Sequence, residues 1–186
     1  MSTLPYRNLK SPKNTTSGIS DFFLIAPVAD FVEGGIKCPA VPQGADPAGQ
    51  SVKILEPHEF VANRGFAKIM CAPDKNSFDG KMMGDLGSNK FDFEHKVFVP
   101  GSYAELHEGM ANLLNTPCIV LFKDAASCSE NLWYQLGCDC TSAYIIMDWS
   151  SGTTKDGAKG YMATVKWSGA FVQLYAHVDG PEVLAD

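Results

Sequence analysis

The chain has no excess of positive charge. Its 15 lysines and arginines face 21 aspartates and glutamates, a formal net charge of −6 at pH 7. No overall positive field is therefore present to hold phosphates or an anionic membrane surface, which argues against tight wrapping of nucleic acid. Charge of either sign is scarce, at 19% of residues, whereas apolar residues make up 45%. That balance excludes a disordered chain, collagen and coiled coil. Long apolar runs are missing as well. None approaches the roughly 18 residues that cross a bilayer, and residues 1–10 (MSTLPYRNLK) lack the apolar stretch of a secretory signal. No membrane partner is expected, and the default compartment is a cytoplasm.

Motifs that would carry chemistry are equally sparse. No G-x-x-x-x-G-K-[ST] occurs, and no G-x-G-x-x-G leads from a strand into a helix, so nothing cradles a nucleotide phosphate and no cofactor is expected. The four histidines, His58, His95, His107 and His177, are scattered singly. The only close cysteine pair is Cys138-Asp139-Cys140, so no metal site is expected from spacing. An even count of six cysteines would suggest bridges in a small secreted chain. With no leader in view and an ample core, reduced and mostly buried thiols are the expectation here. Whether any of the six pair or bind metal is not fixed by their spacing.

Candidate catalytic groups each have a blander reading. Ser150 and Ser151 precede Gly152 without the leading glycine of a nucleophile elbow. Cys118 or Cys128 with His95 or His107 would make a thiol-imidazole pair, yet Cys118 sits in an apolar run where burial disfavours the thiolate. Glu105 with Glu108, and Asp92 with Glu94, read as solvated faces, because no cleft separates an acid from a base. Trp133, Tyr134, Trp149 and Trp167 offer a sugar-stacking platform or, more simply, core. No catalytic residue is assigned, and the chain is not expected to be an enzyme.

What is present is a succession of strands. At 186 residues one compact domain is expected, with residues 1–20 as a flexible N-terminal arm and 21–186 as a single β-rich domain. Residues 22–26 (FFLIA) form an apolar run stopped by Pro27, and residues 34–50, rich in proline and glycine, cannot hold a ladder. Residues 52–55 and 65–71 read as strands, and residues 73–90 (PDKNSFDGKMMGDLGSNK) as a long loop. Residues 91–99 (FDFEHKVFV) alternate, with Phe91, Phe93, His95, Val97 and Val99 on one face and Asp92, Glu94, Lys96 and Phe98 on the other. After Pro100-Gly101, S-x-x-E from Ser102 to Glu105 spells a capping box. Tyr103, Leu106, Met110, Leu113 and Leu114 then recur at helical spacing until Asn115 and Pro117. Residues 118–122, 144–149, 161–167 and 171–178 complete the strands and are expected to close as an antiparallel meander. The fold class is mainly β, an antiparallel sandwich or barrel-like subunit with one central helix at about 102–115 and long loops.

This order of elements, together with the closing segment YIIMDWSSGTTKDGAKGYMATVKW and its turn Asp156-Gly157-Ala158-Lys159-Gly160, resembles the tail tube proteins of long-tailed bacteriophages. Those are similar in fold to the type VI secretion tube subunit. The resemblance covers about residues 50–180. It implies a structural virion protein, assembled in the host cytoplasm, whose partners are copies of itself and other tail proteins. Six copies would close into a ring with a continuous inner β-barrel, and rings would stack into a conduit for DNA. A negatively charged wall lets DNA pass without sticking, and the Asp92, Glu94, Lys96 face is the expected lining. The alternative is another structural or adhesive β-sandwich of a virion: a capsid decoration, tail-completion or carbohydrate-binding protein.

Overall fold

A computed structural model describes residues 18–39, 52–85, 87–124, 131–152 and 157–184. Ten strands and one α-helix make up its regular structure. Strands β1 (Ile19–Pro27), β2 (Lys53–Ile54), β3 (Ala67–Met70), β6 (Cys118–Asp124), β7 (Trp133–Leu136) and β10 (Gln173–Tyr175) form one sheet in the order β2-β10-β7-β6-β1-β3. Strands β4 (Ser77–Met83), β5 (Lys90–Pro100), β8 (Tyr144–Ser150) and β9 (Gly160–Gly169) form the other, in the order β4-β5-β9-β8. Helix α1 (Ala104–Leu113) connects β5 to β6. The arrangement is a sandwich of two sheets and not a closed barrel.

The period-two alternation of β5 decides which face is inside. Phe93, His95, Val97 and Val99 are buried, and three of them join Phe23, Ile25, Val120, Phe122, Val165 and Trp167 in the core between the sheets. Leu106 and Met110 of α1 complete this core. Residues of β1 and β6 that point the other way, Leu24, Ala26, Ile119 and Leu121, meet a second core with Phe31, Ile36, Ile54, Phe66 and Tyr175. The middle of the six-stranded sheet is thus buried on both sides, which is why Phe23 to Ala26 and Cys118 to Phe122 are unbroken apolar runs.

Several expectations change on contact with the fold. Residues 73–90 are not one long loop. They hold a 3-10 turn at Pro73–Lys75 and the strand β4, paired along its length with β5 from Ser77↔Lys96 to Met83↔Lys90. An edge strand with most side chains in solvent shows no hydrophobic alternation, so its sequence looks like loop. The chain does not finish as a meander either. β8 and β9 form an antiparallel hairpin, but β10 crosses to the other sheet, antiparallel to β7 and parallel to β2. β7 went unanticipated, because its four residues are too few to display a period. β1 begins at Ile19, so the last two residues expected of the arm lie in the sheet, with Ser20 buried. Residues 1–17 lie outside the described residues, as does part of the 156–160 turn.

The helix also starts differently from the capping-box expectation. Its N-cap is Tyr103, with no side-chain cap. Ser102 Oγ bonds instead to His107 Nε2 at 3.0 Å, and His107 Nδ1 bonds to the Tyr161 hydroxyl. The Ser102 hydroxyl is taken by a side chain of the helix in place of the helix's amides, and His107, bonded in turn to Tyr161 of β9, ties the start of α1 to the four-stranded sheet. At the other end Asn115 takes a left-handed φ of 58°, the conformation that ends helices before a proline such as Pro117.

Among the cysteines, the expectation of thiols throughout fails for one pair. Cys38 and Cys138, 100 residues apart, are joined by a disulfide with their Cα atoms 5.8 Å apart. The loop after the 3-10 turn at Val28–Asp30 and the bend after β7 meet only in the folded chain, so spacing could not reveal the pairing. Cys71 and Cys118 are buried thiols as expected, and Cys140 is an exposed one. Cys128 lies outside the described residues.

Candidate functional site

The outer face of the four-stranded sheet gathers most of the charge on regular structure. Register places Asp79, Glu94, Lys166 and Tyr144 in one row, Lys81, Asp92 and Ser168 in the next, and Ser77, Lys96, Thr164 and Ile146 in a third. Glu94 is the hub. Its carboxylate lies 3.1 Å from Lys166 Nζ and 3.3 Å from Lys96 Nζ. The Lys166 hydrogen bond, then that of Lys96, holds its pKa below the ordinary carboxylate value. Asp92 accepts a short hydrogen bond from Ser168 Oγ. Asp92, Glu94 and Lys96 are thus brought together on one surface away from the core. That surface is a mixed-charge lattice, because the lysines of β4, β5 and β9 interleave with its acids.

The two borders of this sheet are strands without a further neighbour among the described residues, β4 on one side and β8 on the other. Both present apolar side chains to solvent. Met82 is 61% exposed and Met83 51% on β4; Ile146 is 52% exposed and Tyr144 49% on β8. Unpaired strand borders with apolar side chains invite pairing with another chain unless they are used. Since β4, β5, β9 and β8 alternate in direction, β4 and β8 run opposite ways.

The chemical candidates do not converge. Burial pushes the Cys118 thiol up to about 12 and the Cys71 thiol up to about 11, the wrong direction for a nucleophile. His95 lies in the core, stacked on Phe122 with centroids 3.9 Å apart, and burial lowers its pKa to about 3. His107 is engaged by Ser102 and Tyr161. His58 accepts the Lys37 amide at Nδ1 and therefore donates from Nε2 to Gln135 Oε1 at 3.0 Å, with its pKa lowered to about 4 by burial. Ser150 Oγ accepts the Gly152 amide at the end of β8. Glu105 and Glu108 are exposed on α1. Trp133 and Trp167 belong to separate cores, so the aromatic platform does not form, although Trp149 is half-exposed beside His107. Among the described residues no three metal-ligating side chains gather, and no helix is long and apolar enough to cross a membrane. The Ser102–His107–Tyr161 tie escaped the sequence because its third member is 54 residues from its second.

Comparison with protein-family models, with curated proteins and with solved structures finds no match for this chain.

Proposed function

We propose that the chain is a self-assembling structural subunit whose four-stranded sheets join edge to edge into a closed ring, the architecture of a phage tail tube. The observation that carries this reading is the pair of open borders on one sheet. Because β4 and β8 run in opposite directions, pairing β8 of one copy with β4 of the next continues the antiparallel alternation without a break. Such a contact uses two different patches, so it propagates, and it closes into a ring when the rotation per copy divides a full turn. Closure satisfies every strand edge in that sheet. The resemblance noted in the sequence suggests six copies.

On this reading the Asp92, Glu94, Lys96 surface lines the conduit, where Lys96 and Lys166 are both held against the Glu94 carboxylate. A phosphate backbone then meets ion pairs already satisfied in place of free ammonium groups, which keeps passing DNA from binding. The disulfide suits a particle that leaves its host, since a reducing cytoplasm keeps most thiols apart until release.

Negative-stain electron microscopy of the purified chain tests the proposal, with rings or hollow rods as the expected result. A single slow species by sedimentation velocity at high protein concentration would sink it. Replacing Asp92 and Glu94 by asparagine and glutamine should leave ring formation intact while increasing DNA retention.

A further inference from the structure

A second surface feature is unrelated to the open borders of the four-stranded sheet. Between α1 and β3 runs an apolar groove of about 500 Å³, floored by Ile25, Ile69, Val99, Leu106, Met110 and Leu113. That volume lies in the range of about 300–1,000 Å³ typical of sites that bury a ligand. Its lips are Met70 and Tyr103, 53% and 56% exposed. β3 is itself a sheet border: it pairs with β1 on one side, and on the other, apart from the bridge Phe66↔Val183 at its start, no described strand flanks it. Glu105 stands on the groove wall, with Glu108 on the same helix.

We propose that this groove is the seat of the chain's own residues 4–9 (LPYRNL). Three observations select that occupant. The first is reach. The N-terminal segment joins the fold at Gly18, beside the start of β1, whereas the groove lies at the far end of β1, by Ile25 and Pro27. Doubling back from Gly18 to the level of Ile25 spans about 23 Å, or roughly seven residues of extended chain at about 3.3 Å each. With a few more for the reversal, Leu9 arrives at the groove and Tyr6 and Leu4 follow it in. The second is composition: Leu4, Tyr6 and Leu9 are the large apolar residues of the first seventeen after Met1. The third is charge. The N-terminal seventeen residues carry Arg7, Lys10 and Lys13 with no carboxylate; the groove is lined by Lys68 on its β3 side and Glu105 on its α1 side, and α1 carries Glu105 and Glu108 with no lysine or arginine, so the segment's cations are drawn to the α1 wall.

This contact does not rest on ring formation. It does complement it, because a segment laid along β3 blunts that border and leaves β4 and β8 as the edges offered to other copies.

The test uses the full-length chain with Tyr6 replaced by the photo-crosslinker p-benzoylphenylalanine, irradiated in dilute solution. The expected product has monomer mass and a crosslink to Met110, Leu113 or Ile69. A Cβ on Gly109 would meet nothing within 4 Å, so this groove-lining position accepts a side chain without moving the fold. Gly109→Trp fills the groove and should abolish the crosslink, whereas Gly109→Ala should retain it. Circular dichroism melts of both variants check that each is folded. Crosslinks mapping elsewhere, a yield unchanged by Gly109→Trp in a folded protein, or a covalent dimer showing that the segment seats on another copy would each overturn the proposal. Electron microscopy of the same samples reads ring formation separately, so loss of one result leaves the other standing.

Discussion

The His95 ring has no hydrogen-bond partner on either nitrogen and stacks on Phe122 with its edge toward Phe23, so it is held neutral. Its pKa of about 3 in the fold lies below the ordinary 6.5. The unfolded chain therefore takes up the proton first, and stability present above pH 6.5 is lost as the pH falls toward 3. Each pH unit in that window removes about 1.4 kcal/mol per such histidine. His58, lowered to about 4 for the same reason, adds its share down to that pH. Denaturant titrations between pH 6.5 and 4 should show a steep loss of stability, and His95→Phe should remove about half of the slope. At pH 7 the same variant removes two buried, unbonded nitrogens and should be no less stable than the parent. An unchanged slope would mean that His95 is already solvated in the folded chain. The sequence displayed the burial of this residue, because it falls in phase with Phe93 and Val97. It could not display the absence of a partner, which depends on what three other strands bring opposite.

The element on which the proposed assembly turns is β4, and its weakest point is Gly80. A Cβ there would come within 2.8 Å of the Phe93 ring, which packs over the bare backbone. Gly80→Val should force Phe93 aside and loosen the pairing of β4 with β5, costing roughly 1–3 kcal/mol, which thermal denaturation would register. On the opposite border the prediction is reversed in kind. Ile146→Lys places a charge on an exposed edge position, so the melting of the isolated chain should change by less than about 0.5 kcal/mol in stability terms, while rings disappear from micrographs. Rings that survive this change would remove β8 from the interface. Both elements were poorly legible for a physical reason. A strand is readable when one face must be apolar and the other not, as in β5, or when both are buried, as in β6. A border strand awaiting a partner obeys neither pattern. The start of α1 departs from the capping box for a long-range reason: Ser102 bonds the side chain of His107 on the helix, and that ring is held in place by Tyr161, 54 residues further on.

Over the whole molecule, the Cys38–Cys138 bond fastens the loops that cover the second core to the end of β7. Closing a loop of 100 residues removes much freedom from the unfolded chain, and a bond of this kind contributes roughly 2–4 kcal/mol. Guanidinium unfolding with and without a reductant should separate by that amount, and Cys38→Ser should match the reduced parent. The sandwich class, the single helix and the division of β5 into inner and outer faces could all be read from residue order, because local periodicity encodes them. The exchange of β10 between sheets and the disulfide could not, because they are properties of long-range closure. The two borders of the four-stranded sheet have one more consequence. They are unlike each other, so copies added border to border all point the same way around the axis. In the ring proposed above, the upper and lower rims would then differ in chemistry, and a column of such rings would be a directional object, seeded at one end and terminated by a different protein at the other.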